Sequence, residues 1–194
     1  MPQRELILAS SSVFRRELLQ RLQLPFRAIA PEVDEQPLAH ELPQTLVERL
    51  AVAKANTIAR LHPTALVIGS DQVAVQNGRI VGKPADHEAA VRQLREASGR
   101  RVVLHTGLAV IDAASGRTQS EVVPFAAVFR RLSDEDIERY LHKDKPYNCA
   151  GSLRSEGLGI ALLERFEGDD PTALIGLPLI ALCRMLENEA VRIL

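Results

Sequence analysis

The stretch Leu6-Ile7-Leu8-Ala9-Ser10-Ser11-Ser12-Val13-Phe14-Arg15-Arg16 carries an apolar run straight into a polar turn and then into a helical pattern. The apolar residues predict a short buried strand. The spacing of Leu18, Leu19 and Leu22 predicts an amphipathic helix behind it. Three hydroxyls, backbone N–H groups at a helix start and two guanidinium groups would then meet in one small volume. Such a volume suits an anion, most simply a phosphate chain. On this stretch alone the plainer reading has the advantage, with Ser12 only an N-cap and the arginines solvated.

Working outward, strands and helices alternate. Phe26 to Ala30 reads as a second strand, followed by a Pro- and acid-rich loop from Pro31 to Pro43. Leu46, Val47, Leu50, Ala53, Lys54, Ile58 and Leu61 recur at helical spacing before His62-Pro63 stops the pattern. Ala65 to Gly69 is a short apolar run that fits a buried strand. Val73 to Gln76 and Arg79 to Val81 flank Asn77-Gly78, a hairpin signal. A helix is expected from about Asp86 to Ala97, and long β segments over Arg101 to Asp112 and Thr118 to Phe129. Ser133-Asp134-Glu135-Asp136 resembles a capping box opening a helix to about Leu141. Leu158 to Leu163 is expected as a strand, Glu164 to Asp170 as a solvated turn with Asp170 as a cap before Pro171, and Leu179 to Glu189 as a last helix. The expectation is a single α/β domain over residues 1–194, built on a mixed sheet.

Bulk properties narrow the function. The chain has 194 residues, 46% hydrophobic and 25% charged, which argues for a folded core rather than disorder. A formal net charge of -1 leaves no basic footprint for extended nucleic acid and no general attraction to membranes. No apolar run approaches the roughly 20 residues of a bilayer span, and the N-terminal apolar run is too short for a signal peptide. A soluble cytoplasmic protein is expected. Cys149 and Cys183 form no C-x-x-C and read as small hydrophobes. The five histidines, with no H-x-x-x-H pair, give little expectation of histidine–zinc chemistry, though distant residues can meet in a fold. Neither common phosphate loop is present.

Chemistry-bearing residues are scattered over several segments. Asp34 and Glu35 lie in the acidic loop, where a solvated role is the ordinary one. Asp71 follows the apolar run ending Ile68-Gly69-Ser70, the place where a parallel sheet tends to present its ligand crevice; its plainer role is turn formation. Lys54 sits on a helix among Ala51, Val52, Ala53 and Ala55, and an inward-facing lysine there needs an anionic partner. Gly82-Lys83-Pro84 brackets a further lysine with turn residues, and phosphate binding would use it as a point charge. Carboxylates with substrate phosphates form the usual Mg²⁺ environment, and cations stabilise a leaving phosphate. The inventory suits hydrolysis of a phosphoanhydride by a water that a carboxylate activates.

These residues resemble the Maf-type nucleoside triphosphate pyrophosphatases. The resemblance rests on Ser10-x-Ser12-x-x-Arg15-Arg16, Glu32-Val33-Asp34-Glu35, Ala53-Lys54-Ala55, Gly69-Ser70-Asp71-Gln72 and Gly82-Lys83-Pro84. It extends through Thr106-Gly107-Leu108, Ala150-Gly151-Ser152, Ser155-Glu156-Gly157 and Gly176-Leu177-Pro178, in order over almost the whole chain. Within the family the chain is most similar to the YceF-like subgroup, whose members hydrolyse 7-methyl-GTP.

The resemblance implies cleavage between the α and β phosphates with a divalent metal cation, Mg²⁺ or Mn²⁺. Asp71 would be the general base or a ligand to the metal-bound water, with Asp34 and its neighbour Glu35 helping to hold the metal. Ser10, Ser12, Arg15, Lys54 and Lys83 would hold the phosphates. Phe14, Gln72 and Glu156 would set the base, where the dTTP/UTP branch carries Arg, Thr and Gln. A carboxylate at Glu156 accepts from both N1–H and the exocyclic amine of guanine. An aromatic face at Phe14 adds a cation–π contribution of about 0.5–2 kcal/mol to a methylated, cationic base; the subgroup usually has Trp there. The implied fold is an elongated α/β structure with a central mixed, twisted sheet, flanking helices and a cleft between two lobes, commonly a homodimer. The alternatives are a pyrophosphatase for another modified or canonical nucleotide, of the dTTP/UTP type, and a nucleotide-sensing regulator of cell division.

Overall fold

In the computed structural model, which describes residues 4–194, β1 (Leu6–Ala9) runs through the serine turn into α1 (Val13–Gln20). The chain continues through β2 (Arg27–Ile29), α2 (Pro43–Ala59), β3 (Leu66–Gln76), β4 (Arg79–Val81), α3 (His87–Ala97) and β5 (Arg101–Asp112). It ends with β6 (Thr118–Phe129), α4 (Asp134–Asp144), β7 (Leu163–Glu167) and α5 (Leu179–Asn188). The strands form one sheet in the order β2-β1-β3-β5-β6-β7, with β4 hairpinned onto β3. β1 lies parallel to β2 and β3, whereas β3–β4 and β6–β7 are antiparallel. The mixed α/β architecture read from the sequence is the one observed.

The chain packs as two compact units. One comprises the segment ending at Gln72, His105–Val123 and Asp170–Leu194; the other comprises Val73–Leu104 and Pro124–Asp169.

The first unit explains why its strands are apolar at successive positions. Side chains alternate across a strand, so Leu6 and Leu8 face one side and Ile7 and Ala9 the other. Leu6, Leu8, Leu66, Ile68, Leu108 and Val110 pack with Leu18 and Leu19 of α1 and Leu182 and Leu186 of α5. Ile7, Ala9, Val67, Ala109 and Ile111 pack with Ala51, Ala55 and Ile58 of α2. Both faces are covered, which is the condition that replaces polar alternation with continuous apolar runs. Truncating one of these buried leucines to alanine costs about 2–5 kcal/mol. α2 also lies unusually close to the sheet. A Cβ on Gly69 would collide with the Ala51 carbonyl oxygen, and one on Gly107 with that of Val47. Only glycine on β3 and β5 admits the helix backbone at that distance.

In the second unit α3 packs against α4, burying Val91 and Leu94 on one and Ile137 and Leu141 on the other. The Ser133 capping box is present, with Asp136 Nα bonded to the Ser133 hydroxyl at 3.1 Å, and α4 runs on to Asp144.

Three expectations need correction. The separate runs Ala65–Gly69 and Val73–Gln76 are parts of the one strand β3, so Asp71 stands inside a strand rather than in the turn after it. Leu158–Leu162 is a 3₁₀ turn, not a strand. There Gly159 donates its N–H to the Arg154 carbonyl at 3.1 Å, and a side chain at Gly159 would strike the same carbonyl. β7 therefore forms five residues later, over part of the acidic stretch expected as a turn. Leu22 falls just beyond α1, although it still packs on the core. Among the described residues no helix is long and apolar enough to cross a membrane.

Candidate active site

The site begins where two parallel strands stop matching. β1 ends at Ala9, in register with Gly69, while β3 continues through Ser70, Asp71 and Gln72. Beyond Ala9 the neighbouring chain turns away as Ser10-Ser11-Ser12 and becomes α1. The carboxyl ends of adjacent parallel strands thus bring the serine turn and Asp71 to the same end of the sheet, as the rule for parallel sheets anticipates.

α2 brings the cation. Its close approach at Gly69 places Lys54, five residues before the helix ends, on the buried face. Lys54 Nζ lies 2.6 Å from Asp71 Oδ1 and 2.6 Å from Glu35 Oε1. Lys54 is 6% exposed and Asp71 7%, so their pair is shielded from water, whereas Glu35 reaches in from the loop with much of its side chain solvated. A buried ammonium with no partner would be strongly disfavoured; this one has two. Asp34 instead bonds within its own turn, its Oδ1 accepting from the Gln36 N–H at 3.0 Å. Of the two acidic neighbours expected here, the structure brings Glu35 to Lys54.

The loop that carries Glu35 is fastened to α2 by Arg49. Its guanidinium donates to both carboxylate oxygens of Glu41, at 2.7 and 2.8 Å, and to the Gln36 carbonyl at 3.1 Å. Glu41 Oε2 also accepts from the Leu38 N–H at 2.9 Å. The hydrogen bond from Arg49 holds the Glu41 carboxyl well below its ordinary range, at about 2. Sequence reasoning missed Arg49 and Glu41. Eight residues apart across a loop and a helix start, they share no periodicity that would have paired them.

Arg15 enters from α1. Its Nε donates to the Gly176 carbonyl at 2.8 Å, and that same oxygen accepts from the buried Ser70 hydroxyl at 2.9 Å. Burial pulls the Arg15 guanidinium below its ordinary value, while Asp71 and then Glu35 pull it back. Ser12 is the N-cap of α1, its hydroxyl accepting from the Arg15 N–H at 3.4 Å. Ser10 is buried and its hydroxyl accepts from the Ser12 N–H at 3.1 Å. The capping role of Ser12 and the gathering of Ser10, Ser12 and Arg15 at one strand end are therefore both present. Phe14 is half-buried on α1, while Leu18 and Leu19 carry that helix's core contacts.

Gln72 is half-buried, and its side-chain amide donates to the Thr106 hydroxyl at 2.9 Å and to the Ala173 and Leu174 carbonyls at 2.6 and 3.2 Å. These two carbonyls belong to a 3₁₀ turn, Pro171–Leu174, capped by Asp170. Asp170 is buried and accepts from the Thr172 hydroxyl at 2.6 Å and from the Ile180 N–H at 2.8 Å, joining the turn to α5.

Lys83 and Glu156 belong to the second unit. Lys83 is exposed beside Gly82, whose carbonyl accepts from the Gly151 N–H at 3.1 Å. Glu156 is held by Arg154 at 3.9 Å and by the Ser155 hydroxyl at 3.3 Å, and Arg154 also pairs with Asp144 at 3.3 Å. Burial, with help from Glu156, pushes the Cys149 thiol up to about 11, so it stays protonated as a small apolar group would.

A family model described as Maf-like protein matches residues 5–189. A 7-methyl-GTP pyrophosphatase from Polaromonas sp. (strain JS666) is 55% identical over 188 residues, covering 97% of this chain and 86% of the relative. Proteins of the same name from Aromatoleum aromaticum and Nitrosococcus oceani are 55% and 52% identical, each covering 95% of its own length and 95% and 97% of this chain. Among solved structures, a HAM1 protein from Coxiella burnetii superimposes with a TM-score of 0.48 at 17% identity, over 67% of this chain and 75% of that one. With a matching family model over nearly its full length and relatives above half identity, the chain belongs to the Maf family.

Proposed function

We propose that this protein is a pyrophosphatase that hydrolyses the α–β phosphoanhydride of 7-methyl-GTP, giving 7-methyl-GMP and pyrophosphate. The substrate follows from relatives of that name at 52–55% identity. The observation that carries the chemistry is the buried Lys54, flanked at 2.6 Å by Asp71 and Glu35 beside the serine turn.

In this reading Asp71 takes the proton from the attacking water at its carboxylate. Lys54, hydrogen-bonded to Asp71 at 2.6 Å, keeps that carboxylate aimed. Arg15, anchored through Nε on Gly176, keeps its terminal N–H groups for a phosphate oxygen. Ser10 and Ser12 supply hydroxyls at the start of α1, and Lys83 would add a cation for the phosphates. Glu156 reads the guanine edge and Phe14 offers its face to the cationic base.

A divalent cation fits the donor set. Two carboxylates already share one positive charge, and hard oxygen donors suit Mg²⁺ or Mn²⁺. Asp71 and Glu35, with Asp34 from the same loop, would hold it. When bound it neutralises phosphate charge and makes the attacked phosphorus more electrophilic.

The test is turnover of a panel (7-methyl-GTP, GTP, dTTP, UTP, CTP, ATP) with Mg²⁺ or Mn²⁺, reading monophosphate and pyrophosphate separately. Wild type is expected to cleave 7-methyl-GTP selectively. Asp71→Asn is expected to bind the nucleotide and lose turnover by about 10²-fold or more. Undiminished turnover in that variant would remove Asp71 from the chemistry, and preference for dTTP or UTP would reassign the substrate.

A further inference from the structure

A separate constellation lies in the second unit, on the helix pair α3 and α4. His87 is the first residue of α3, and Glu138 and His142 stand one turn apart on α4. His87 Nε2 is 2.9 Å from Glu138 Oε2, and His142 Nε2 is 3.6 Å from the same oxygen. The three atoms lie within 4.8 Å of one another, and the two imidazole centroids are 5.5 Å apart. None of these residues takes part in the pyrophosphatase chemistry described above.

The geometry is that of ligands around an ion rather than of a simple pair. Bonds of about 2.0–2.1 Å to a tetrahedral ion put neighbouring ligand atoms about 3.3 Å apart, between the two nitrogen–oxygen distances seen here. Glu138 and His142 share a helix face by their i,i+4 spacing, and His87 closes the set from the adjacent helix. The far nitrogen of His87 is also occupied. Nδ1 lies 3.0 Å from the Tyr147 hydroxyl, the kind of outer contact that orients a metal-ligating imidazole and fixes its tautomer. All three side chains keep partial contact with solvent, so an ion has a route in and water can complete its shell.

We propose that His87, Glu138 and His142 bind a borderline divalent transition-metal ion, Zn²⁺ by ligand type, which ties α3 to α4. Two imidazole nitrogens and one carboxylate oxygen favour Zn²⁺ over Mg²⁺, which prefers an all-oxygen octahedral shell. The site is thus chemically distinct from the all-carboxylate set around Lys54. The sequence held two of the three ligands as Glu138-x-x-x-His142; His87, 51 residues away from Glu138, is supplied only by the packing of the two helices.

The test is titration of the nucleotide-free protein with ZnCl₂ in excess Mg²⁺, followed by calorimetry and by thermal unfolding. Wild type is expected to take up one equivalent at micromolar affinity and to gain roughly 5 °C in Tm at a hundredfold excess over Kd. His142→Gln and Glu138→Gln are expected to lose that equivalent and the Tm gain while keeping the wild-type circular dichroism spectrum. The His142 side chain is 74% exposed, so its replacement leaves the packing of α4 intact. No uptake by wild type in the micromolar range, or uptake and stabilisation unchanged in both variants, would overturn the site.

Discussion

Lys54 and Asp71 form a buried ion pair, Nζ to Oδ1 at 2.6 Å, made by a helix and a strand that meet only because Gly69 lets their backbones approach. A buried pair of this kind is asymmetric in its energetics. Removing one partner strands a charge and costs about 3–5 kcal/mol, whereas removing both charges costs much less. Lys54→Met is therefore expected to lower Tm sharply, and Lys54→Met with Asp71→Asn to recover most of that loss without recovering turnover. Thermal melts and initial rates on the two variants check this. A single variant as stable as wild type would show the pair to be dispensable to the fold.

Gly176 has φ +119°, a conformation L side chains rarely adopt, and its carbonyl is where Arg15 and Ser70 converge. Gly176→Ala is expected to cost about 1–3 kcal/mol through the backbone, since the added Cβ would sit at an ordinary 3.5 Å from Arg15 Nε. The displaced peptide also releases the anchor of Arg15. In steady-state kinetics KM should rise severalfold with kcat less affected, which separates lost phosphate binding from lost chemistry.

Much of this was legible in the sequence. The continuous apolar run of β1, the Asn77-Gly78 hairpin and the Ser133 cap are local signals, and each lies where the residues put it. The ordered motifs also named Asp71, Lys54 and Arg15. The strand around Asp71 was read as broken because Gly69-Ser70-Asp71-Gln72 has the composition of a turn. Its polar side chains instead have partners inside the fold: Ser70 on the Gly107 and Gly176 carbonyls, Asp71 on Lys54, Gln72 on the 3₁₀ turn. Such partners come from residues far along the chain, so composition alone cannot anticipate them. The Arg49–Glu41 clamp and the His87–Glu138–His142 cluster were hidden for the same reason.

Gln72 illustrates how a residue assigned to substrate choice can act through the frame around it. Its amide donors are taken by Thr106, Ala173 and Leu174. Gln72→Leu leaves the Leu174 carbonyl without its donor, while Ala173 keeps the Thr106 hydroxyl, a loss of about 1–3 kcal/mol. The expected result is a lower Tm with the kcat/KM ratio of 7-methyl-GTP to GTP unchanged. A changed ratio at wild-type stability would instead place Gln72 against the base.

Glu41 ties the stability of the acidic loop to pH. Its carboxyl is held at about 2 against an ordinary 4.5, chiefly by the hydrogen bond from Arg49. A carboxyl whose pKa is lower in the folded state contributes stability that is complete above the unfolded value and is lost as pH falls through the folded one. The contribution should therefore be present at neutral pH and disappear between 4.5 and about 2. Glu41→Gln removes it at every pH, so the variant is expected to melt below wild type at neutral pH and to converge with it at the acid end. Because the same clamp holds Gln36, and so positions Glu35 next to Lys54, the variant should also show weaker Mg²⁺ activation of turnover at neutral pH. Melting curves and Mg²⁺ titrations across pH check both outcomes. A constant difference in Tm down to the acid end would mean that the carboxylate contributes packing rather than charge.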